Sequence, residues 1–181
     1  VIGHRADIPL HKGITDQIDY EAELAFVIGR EGCNLTAENA EEYLFGYTII
    51  NEVSARDLQR RHMQVFKGKS LDGYCPTGPV VVHKSAMVRT PAQGLSLRSR
   101  VNGEVRHDTS TDKLLYDVPT AMSILSQGMT LFPGEIVATG NPRGSGISFD
   151  PPKFLTAGDT VEVEIEGIGV LSNRVAPDAP A

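Results

Sequence analysis

Only two of the 181 residues are cysteine, Cys33 and Cys75. Two thiols exclude a disulfide scaffold and a cysteine-built zinc site, and they fit a reduced, cytoplasmic enzyme. Positive charge is in the minority: 17 lysines and arginines against 23 aspartates and glutamates leave a formal net charge of −6. That balance argues against a surface for nucleic acid or for an anionic membrane. No basic run is long enough to alter it, and no apolar run could span a bilayer. Internal repeats and low-complexity segments are absent as well. What is present is an ordinary globular composition, 40% hydrophobic and 22% charged. With 18 glycines, 11 prolines and many valines, it points to strands and turns. The length suits one domain, 1–181, at about 100–200 residues per domain.

The most informative stretch is Asp19-Tyr20-Glu21-Ala22-Glu23-Leu24-Ala25-Phe26-Val27-Ile28, which runs into Gly29. Read as a strand, it sends Tyr20, Ala22, Leu24, Phe26 and Ile28 to one face and Glu21, Glu23, Ala25 and Val27 to the other. Two carboxylates then project the same way, roughly 6.5–7 Å apart at the backbone. An isolated Glu-x-Glu is usually a solvated edge. Here the acidic face continues into Ala25 and Val27, so it enters the interior. The run Val161-Glu162-Val163-Glu164-Ile165-Glu166 is the contrast: it alternates cleanly, as a half-exposed strand with solvated glutamates does. Buried carboxylates need a proton, a cationic partner or a metal. A hard divalent cation with oxygen ligands would meet that need.

Along the rest of the chain, His4–Gly13 reads as loop or edge strand, and its histidines receive no role. Thr36 fits as N-cap of a helix over 37–44, ended by Gly46. Tyr47–Ile50 reads as a second buried strand that delivers Asn51-Glu52. Next, Ser54-Ala55-Arg56-Asp57 resembles a capping box opening a helix through Gln59 to His62. Glu52, Arg56 and Gln59 would stack on one face of that helix if it starts early. Chemistry at a strand-to-helix junction and an ordinary capped, charged face are both open readings of this cluster. Lys67-Gly68-Lys69-Ser70 lacks the upstream glycine of a phosphate loop. Pro76–Pro79 reads as turns before a buried strand Val80–Val82. The Asn102-Gly103 pair predicts a type I′ hairpin between 95–101 and 104–107. Pro119–Gln127 reads as a helix with Gly128 just past its end, and Ile136–Thr139 as a short strand. The loop Gly140–Gly146 offers backbone N–H groups to an anion. Two strands at 161–166 and 169–175 close the domain, with a frayed tail to Ala181, over 176–181.

Several of these segments together resemble the fumarylacetoacetate hydrolase family, in its C-terminal catalytic domain. They are Asp19-Tyr20-Glu21-Ala22-Glu23-Leu24, Asn51-Glu52-Val53-Ser54-Ala55-Arg56-Asp57-Leu58-Gln59, Lys67-Gly68-Lys69-Ser70-Leu71-Asp72 and Thr139-Gly140-Asn141-Pro142. Val101–Glu104 and Leu131–Ile136 fit too, so the match runs from about Asp19 to Val175. The resemblance implies an α+β, predominantly β fold, a mixed β-sandwich roll with few short helices, and a homodimer. It also implies a Mg²⁺ or Mn²⁺ site at Glu21, Glu23 and Glu52, with Ca²⁺ as a substitute. The third ligand is usually aspartate, and the extra methylene of Glu52 lengthens its reach by roughly one C–C bond. Lys69, Arg56, Gln59 and Thr139 are implied as contacts to the carboxylate and keto oxygens of a 2-oxo acid, with Lys69 and Arg56 catalytic. A second departure is the missing Asn-Tyr-x-x-His-x-x-Glu-like segment, which supplies a water-activating His/Glu pair. The expectation is that such a lid belongs to the natural protein but not to these residues.

The activity so implied is a metal-dependent hydrolase or lyase acting on 2-oxo acids. It cleaves a C–C bond through an enolate, by acylpyruvate hydrolysis or oxaloacetate decarboxylation. A dienoate isomerase uses the same site, and a catalytically weak metal- and 2-oxo-acid-binding protein of the same fold is the rival from another class.

Overall fold

The computed structural model describes residues 1–177. In chain order its elements are β1 (Asp7–Pro9), β2 (Ile18–Asp19), β3 (Ala22–Ile28), α1 (Ala40–Tyr43), β4 (Leu44–Asn51) and β5 (Ser54–Ala55). There follow α2 (Arg56–His62), α3 (Val65–Lys69), β6 (Thr77–His83), β7 (Ser96–Val101) and β8 (Glu104–Ser110). The last are α4 (Val118–Leu125), β9 (Ile136–Ala138), β10 (Thr160–Ile165) and β11 (Gly169–Ala176). Short 3₁₀ turns fill several connections.

Two sheets carry the architecture. One is five-stranded in the order β1-β11-β10-β7-β8, the other four-stranded in the order β6-β4-β3-β9. β2 and β5 pair in a separate two-stranded ribbon. The main core lies between the sheets: Leu24, Phe26 and Ile49 of the four-stranded sheet meet Leu97, Val163 and Leu171 of the other, with Met122 of α4. A second cluster gathers Ile8, Tyr20, Leu58, Val101 and Val161 under the ribbon. β3 is central in its sheet, and all seven of its residues are buried. That explains why its sequence lacks the apolar–polar alternation of β10, whose Glu162 and Glu164 remain partly exposed. The hairpin at Asn102-Gly103 forms as expected, with φ of 52° and 82°.

Several local expectations are corrected. The helix over 37–44 shrinks to α1, because Asn39 Oδ1 accepts the Thr36 N–H and holds 36–39 in a turn. Gly46 does not end it; the residue sits inside β4, where a Cβ would run into the Val82 carbonyl oxygen. No capping box opens α2: Ser54 Oγ donates back to the Glu52 carbonyl, and Ser54–Ala55 pair with Ile18–Asp19. Thr77-Gly78-Pro79 belong to β6 rather than to turns, and Val80 and Val81 are about half exposed because β6 is an edge strand. The strand Asp19–Ile28 is interrupted at Tyr20-Glu21. Of the expected frayed tail, Ala176 still pairs with Pro9 in β11, and 178–181 lie outside the described residues. Cys33 and Cys75 are free thiols. No helix among the described residues is long and apolar enough to cross a membrane.

Candidate metal centre

The antiparallel pairing of β3 with β4 sets Ala22 opposite Asn51, so the residues just beyond that pair, Glu21 and Glu52, lie side by side. Two bonds fasten the corner. Glu52 N–H donates to the Glu21 carbonyl at 2.8 Å, and Glu21 N–H donates to Asn51 Oδ1 at 3.0 Å. Glu23 projects from the same face of β3 and is 1% exposed. One carboxylate oxygen from each of Glu21, Glu23 and Glu52 lies within 4.8 Å of the other two. Opposed oxygens are separated by about 4.0–4.2 Å around Mg²⁺ and about 4.6–5.2 Å around Ca²⁺, twice the metal–oxygen distance. The longer side chain of Glu52 therefore still reaches the cluster.

Two cations face these acids. Lys69, at the end of α3, sets its ammonium 2.6 Å from Glu21 Oε2 and also bonds Glu52. Arg56, first residue of α2, sets Nη2 2.7 Å from Glu21 Oε1 and Nε 2.9 Å from Asp19 Oδ2. Burial opposes the charge on both bases, but the neighbouring carboxylates outweigh it and raise both pKa values. Glu23 has neither cation as a hydrogen-bonding partner. Burial first, then the Glu52 charge, pushes it up to about 8, although the Gly140 N–H at 2.6 Å works the other way. Asp19, Glu21, Glu23 and Glu52 against Arg56 and Lys69 are four negative groups to two positive, a formal excess of −2 when all are ionised. An all-oxygen donor set with that excess fits a hard divalent cation.

Six of the seven residues singled out from the sequence thus converge: Glu21, Glu23, Glu52, Lys69, Arg56 and Gln59, whose Oε1 accepts from Arg56 Nη1 at 3.1 Å. Thr139 is adjacent, but its hydroxyl donates to the Leu24 carbonyl at 2.8 Å. The N–H groups of the glycine-rich loop are taken by the protein's own acids: Gly140 serves Glu23, Gly146 and Ile147 serve Asp19. Asp19 received no role from the sequence, yet it shares the parity of Glu21 and Glu23, a signal available in the alternation itself. A cavity of about 510 Å³ opens behind the loop at Thr139–Pro142. Its floor is Leu24 and Phe26, which face away from Glu23 on β3, so it is separate from the carboxylate cluster.

The fumarylacetoacetate (FAA) hydrolase C-terminal family model matches residues 1–176. The oxaloacetate tautomerase YisK of Bacillus subtilis (strain 168) is 49% identical over 175 residues, which are 97% of this chain and 58% of that protein. A fumarylacetoacetate hydrolase from psychrophilic Exiguobacterium antarcticum has the same fold, with a TM-score of 0.94 and 50% identity over 97% of this chain and 62% of that one. For a 5-carboxymethyl-2-hydroxymuconate delta-isomerase from Mycobacterium smegmatis the TM-score is 0.86 and the identity 37%, over 98% of this chain and 66% of that one. The chain therefore spans less than two thirds of the length of each of these relatives.

Proposed function

The chain belongs to the fumarylacetoacetate hydrolase family, and from that premise we propose that it is an enzyme acting on a 2-oxo acid through its enol form. The observation that carries this reading is the convergence of Glu21, Glu23 and Glu52 with Lys69 against them. In this reading the three glutamates hold a divalent cation, Mg²⁺ or Mn²⁺. When bound, that ion supplies Lewis acidity toward the keto oxygen of the substrate.

The chain's own residues do the remainder. Lys69 keeps a protonated ammonium beside the cluster, where negative charge develops on the substrate's enolate oxygen. Arg56 and Gln59 form one hydrogen-bonded unit whose remaining N–H groups address a substrate carboxylate. The Gly140 N–H holds Glu23 in place. Interconversion of keto and enol forms needs no further group to be cleaved, and the 49% identity to an oxaloacetate tautomerase favours it. C–C cleavage of an acylpyruvate is the second reading, favoured by 50% identity to a fumarylacetoacetate hydrolase. A homodimer belongs to the same proposal.

The test is a steady-state assay with enol-oxaloacetate and with acetylpyruvate, each with Mn²⁺, Mg²⁺ or a chelator. Metal-dependent loss of the enol signal without pyruvate release supports the tautomerase. Pyruvate from acetylpyruvate supports the hydrolase, and pyruvate from oxaloacetate the decarboxylase. No turnover of either substrate with either metal would overturn the enzymatic reading and leave a binding protein.

A further inference from the structure

We propose that Asp19 is a positioning residue for the site: it fixes the plane of the Arg56 guanidinium so that its free edge can meet a substrate carboxylate. This rests on the proposed function. Asp19 is 0% exposed, and its carboxylate accepts four N–H groups. Oδ1 takes the N–H of Tyr20 at 2.9 Å and of Gly146 at 2.6 Å. Oδ2 takes Arg56 Nε at 2.9 Å and the Ile147 N–H at 3.0 Å. Such a carboxylate is fully satisfied, and its charge-assisted bonds are strong and short.

The consequence lies in Arg56. Its Nη2 holds Glu21, one of the three clustered acids, and its Nη1 holds Gln59. Held only at its tip, by Glu21 and the neutral Gln59 amide, the guanidinium could swing about those contacts. A charged acceptor at Nε, on the stem side of the fork, removes the freedom and leaves one orientation of the plane. Asp19 is itself immobilised from two directions, by the β2–β5 pairing and by the loop at Gly146–Ile147. That loop comes close only because residue 146 is glycine, since a Cβ there would run into the Lys153 carbonyl oxygen and the Asp19 carboxylate. Outer groups that orient a binding side chain in this way commonly matter about 10–100-fold to affinity when removed.

The experiment compares wild type with Asp19→Asn, using oxalate as a mimic of the 2-oxo acid and Mn²⁺ as the metal. Asparagine keeps the shape but turns an amide N–H₂ toward two of the four donors, Arg56 Nε among them in one orientation. We expect oxalate to bind the Mn²⁺-loaded variant at least about tenfold more weakly, with Mn²⁺ affinity within about threefold of wild type. The Arg56 Nε–H resonance, protected from solvent exchange in the wild type, should shift and exchange faster in the variant. Equal oxalate affinity, or an unmoved Arg56 Nε–H resonance, would overturn the proposal while leaving the functional reading intact. Failure of the wild type to bind oxalate would instead remove the functional reading, and this proposal with it. If Asp19→Asn does not fold, wild-type exchange decides: an Arg56 Nε–H that exchanges as fast as that of exposed Arg61 overturns the idea.

Discussion

The Lys69 ammonium bridges Glu21 and Glu52, so one cation joins acids that follow from different strands. The lysine is held by the cluster and has little freedom to reach elsewhere. It acts on a substrate oxygen that arrives beside those carboxylates. Lys69→Ala is expected to lower kcat by about 10²–10³-fold with KM changed only a few-fold, the signature of a group that matters as charge develops. Parallel steady-state measurements decide it. A rise in KM at unchanged kcat would make Lys69 a uniform binding group.

Glu23 provides the pH dependence. With a pKa of about 8, it carries a proton at neutral pH when no ion is bound. Ligation by a carboxylate requires the proton to leave, so metal uptake releases protons below pH 8. Apparent Mn²⁺ affinity is expected to rise up to about tenfold per pH unit between pH 6 and 8 and to level off above. Calorimetry in buffers of different ionisation enthalpy measures the proton release directly. Glu23→Ala is expected to abolish the binding while the circular dichroism spectrum stays native; Mn²⁺ affinity equal to wild type would remove Glu23 from the ligand set.

How much of this was legible beforehand depended on whether the signal was local. The parity of Glu21 and Glu23, the burial of β3 and the Asn102-Gly103 hairpin follow from alternation and turn chemistry along a few residues. Spacing put Glu52 and Arg56 in one polar cluster, but their roles, and Lys69 altogether, came through the resemblance, because nothing near them in the chain says which partner each will meet. The Arg56–Asp19 bond spans 37 residues and depends on the β2–β5 pairing. Local reading also misjudged Gly46 and Val80. The first looks like a helix stop and the second like core, whereas a close approach between β4 and β6 and the edge position of β6 decide them.

His107 predicts an acid limit to stability. It is fully buried, with Nδ1 2.6 Å from Ser99 Oγ on the facing strand, and burial pushes its pKa down to about 4 despite the charges of Asp19 and Glu21. The unfolded chain takes up this proton near 6.5, the folded chain only near 4. The stabilisation is therefore complete above pH 6.5 and is lost progressively as pH falls toward 4, up to about 3 kcal/mol. Urea denaturation between pH 7 and 4.5 should show that loss in the wild type and much less of it in His107→Gln. Identical slopes would place the titration elsewhere.

Gly46 tests the four-stranded sheet on which the site is built. It lies at the register shift between β3 and β4, opposite His83 of β6, and its backbone is close enough to Val82 that an added methyl meets the carbonyl oxygen. No flexible side chain tip can yield there; two backbones must part. Gly46→Ala is expected to destabilise by about 1–3 kcal/mol, the range for overpacking a filled interior. Because β4 also delivers Glu52, a shift of that strand should weaken Mn²⁺ binding in step with stability. Gly103→Ala is a control, since nothing lies within 4 Å of a Cβ there and only the left-handed backbone at φ 82° opposes it. It should destabilise by about 1 kcal/mol and leave Mn²⁺ affinity unchanged. Thermal unfolding and Mn²⁺ titration of both variants separate a strand that supports the carboxylates from a turn that does not.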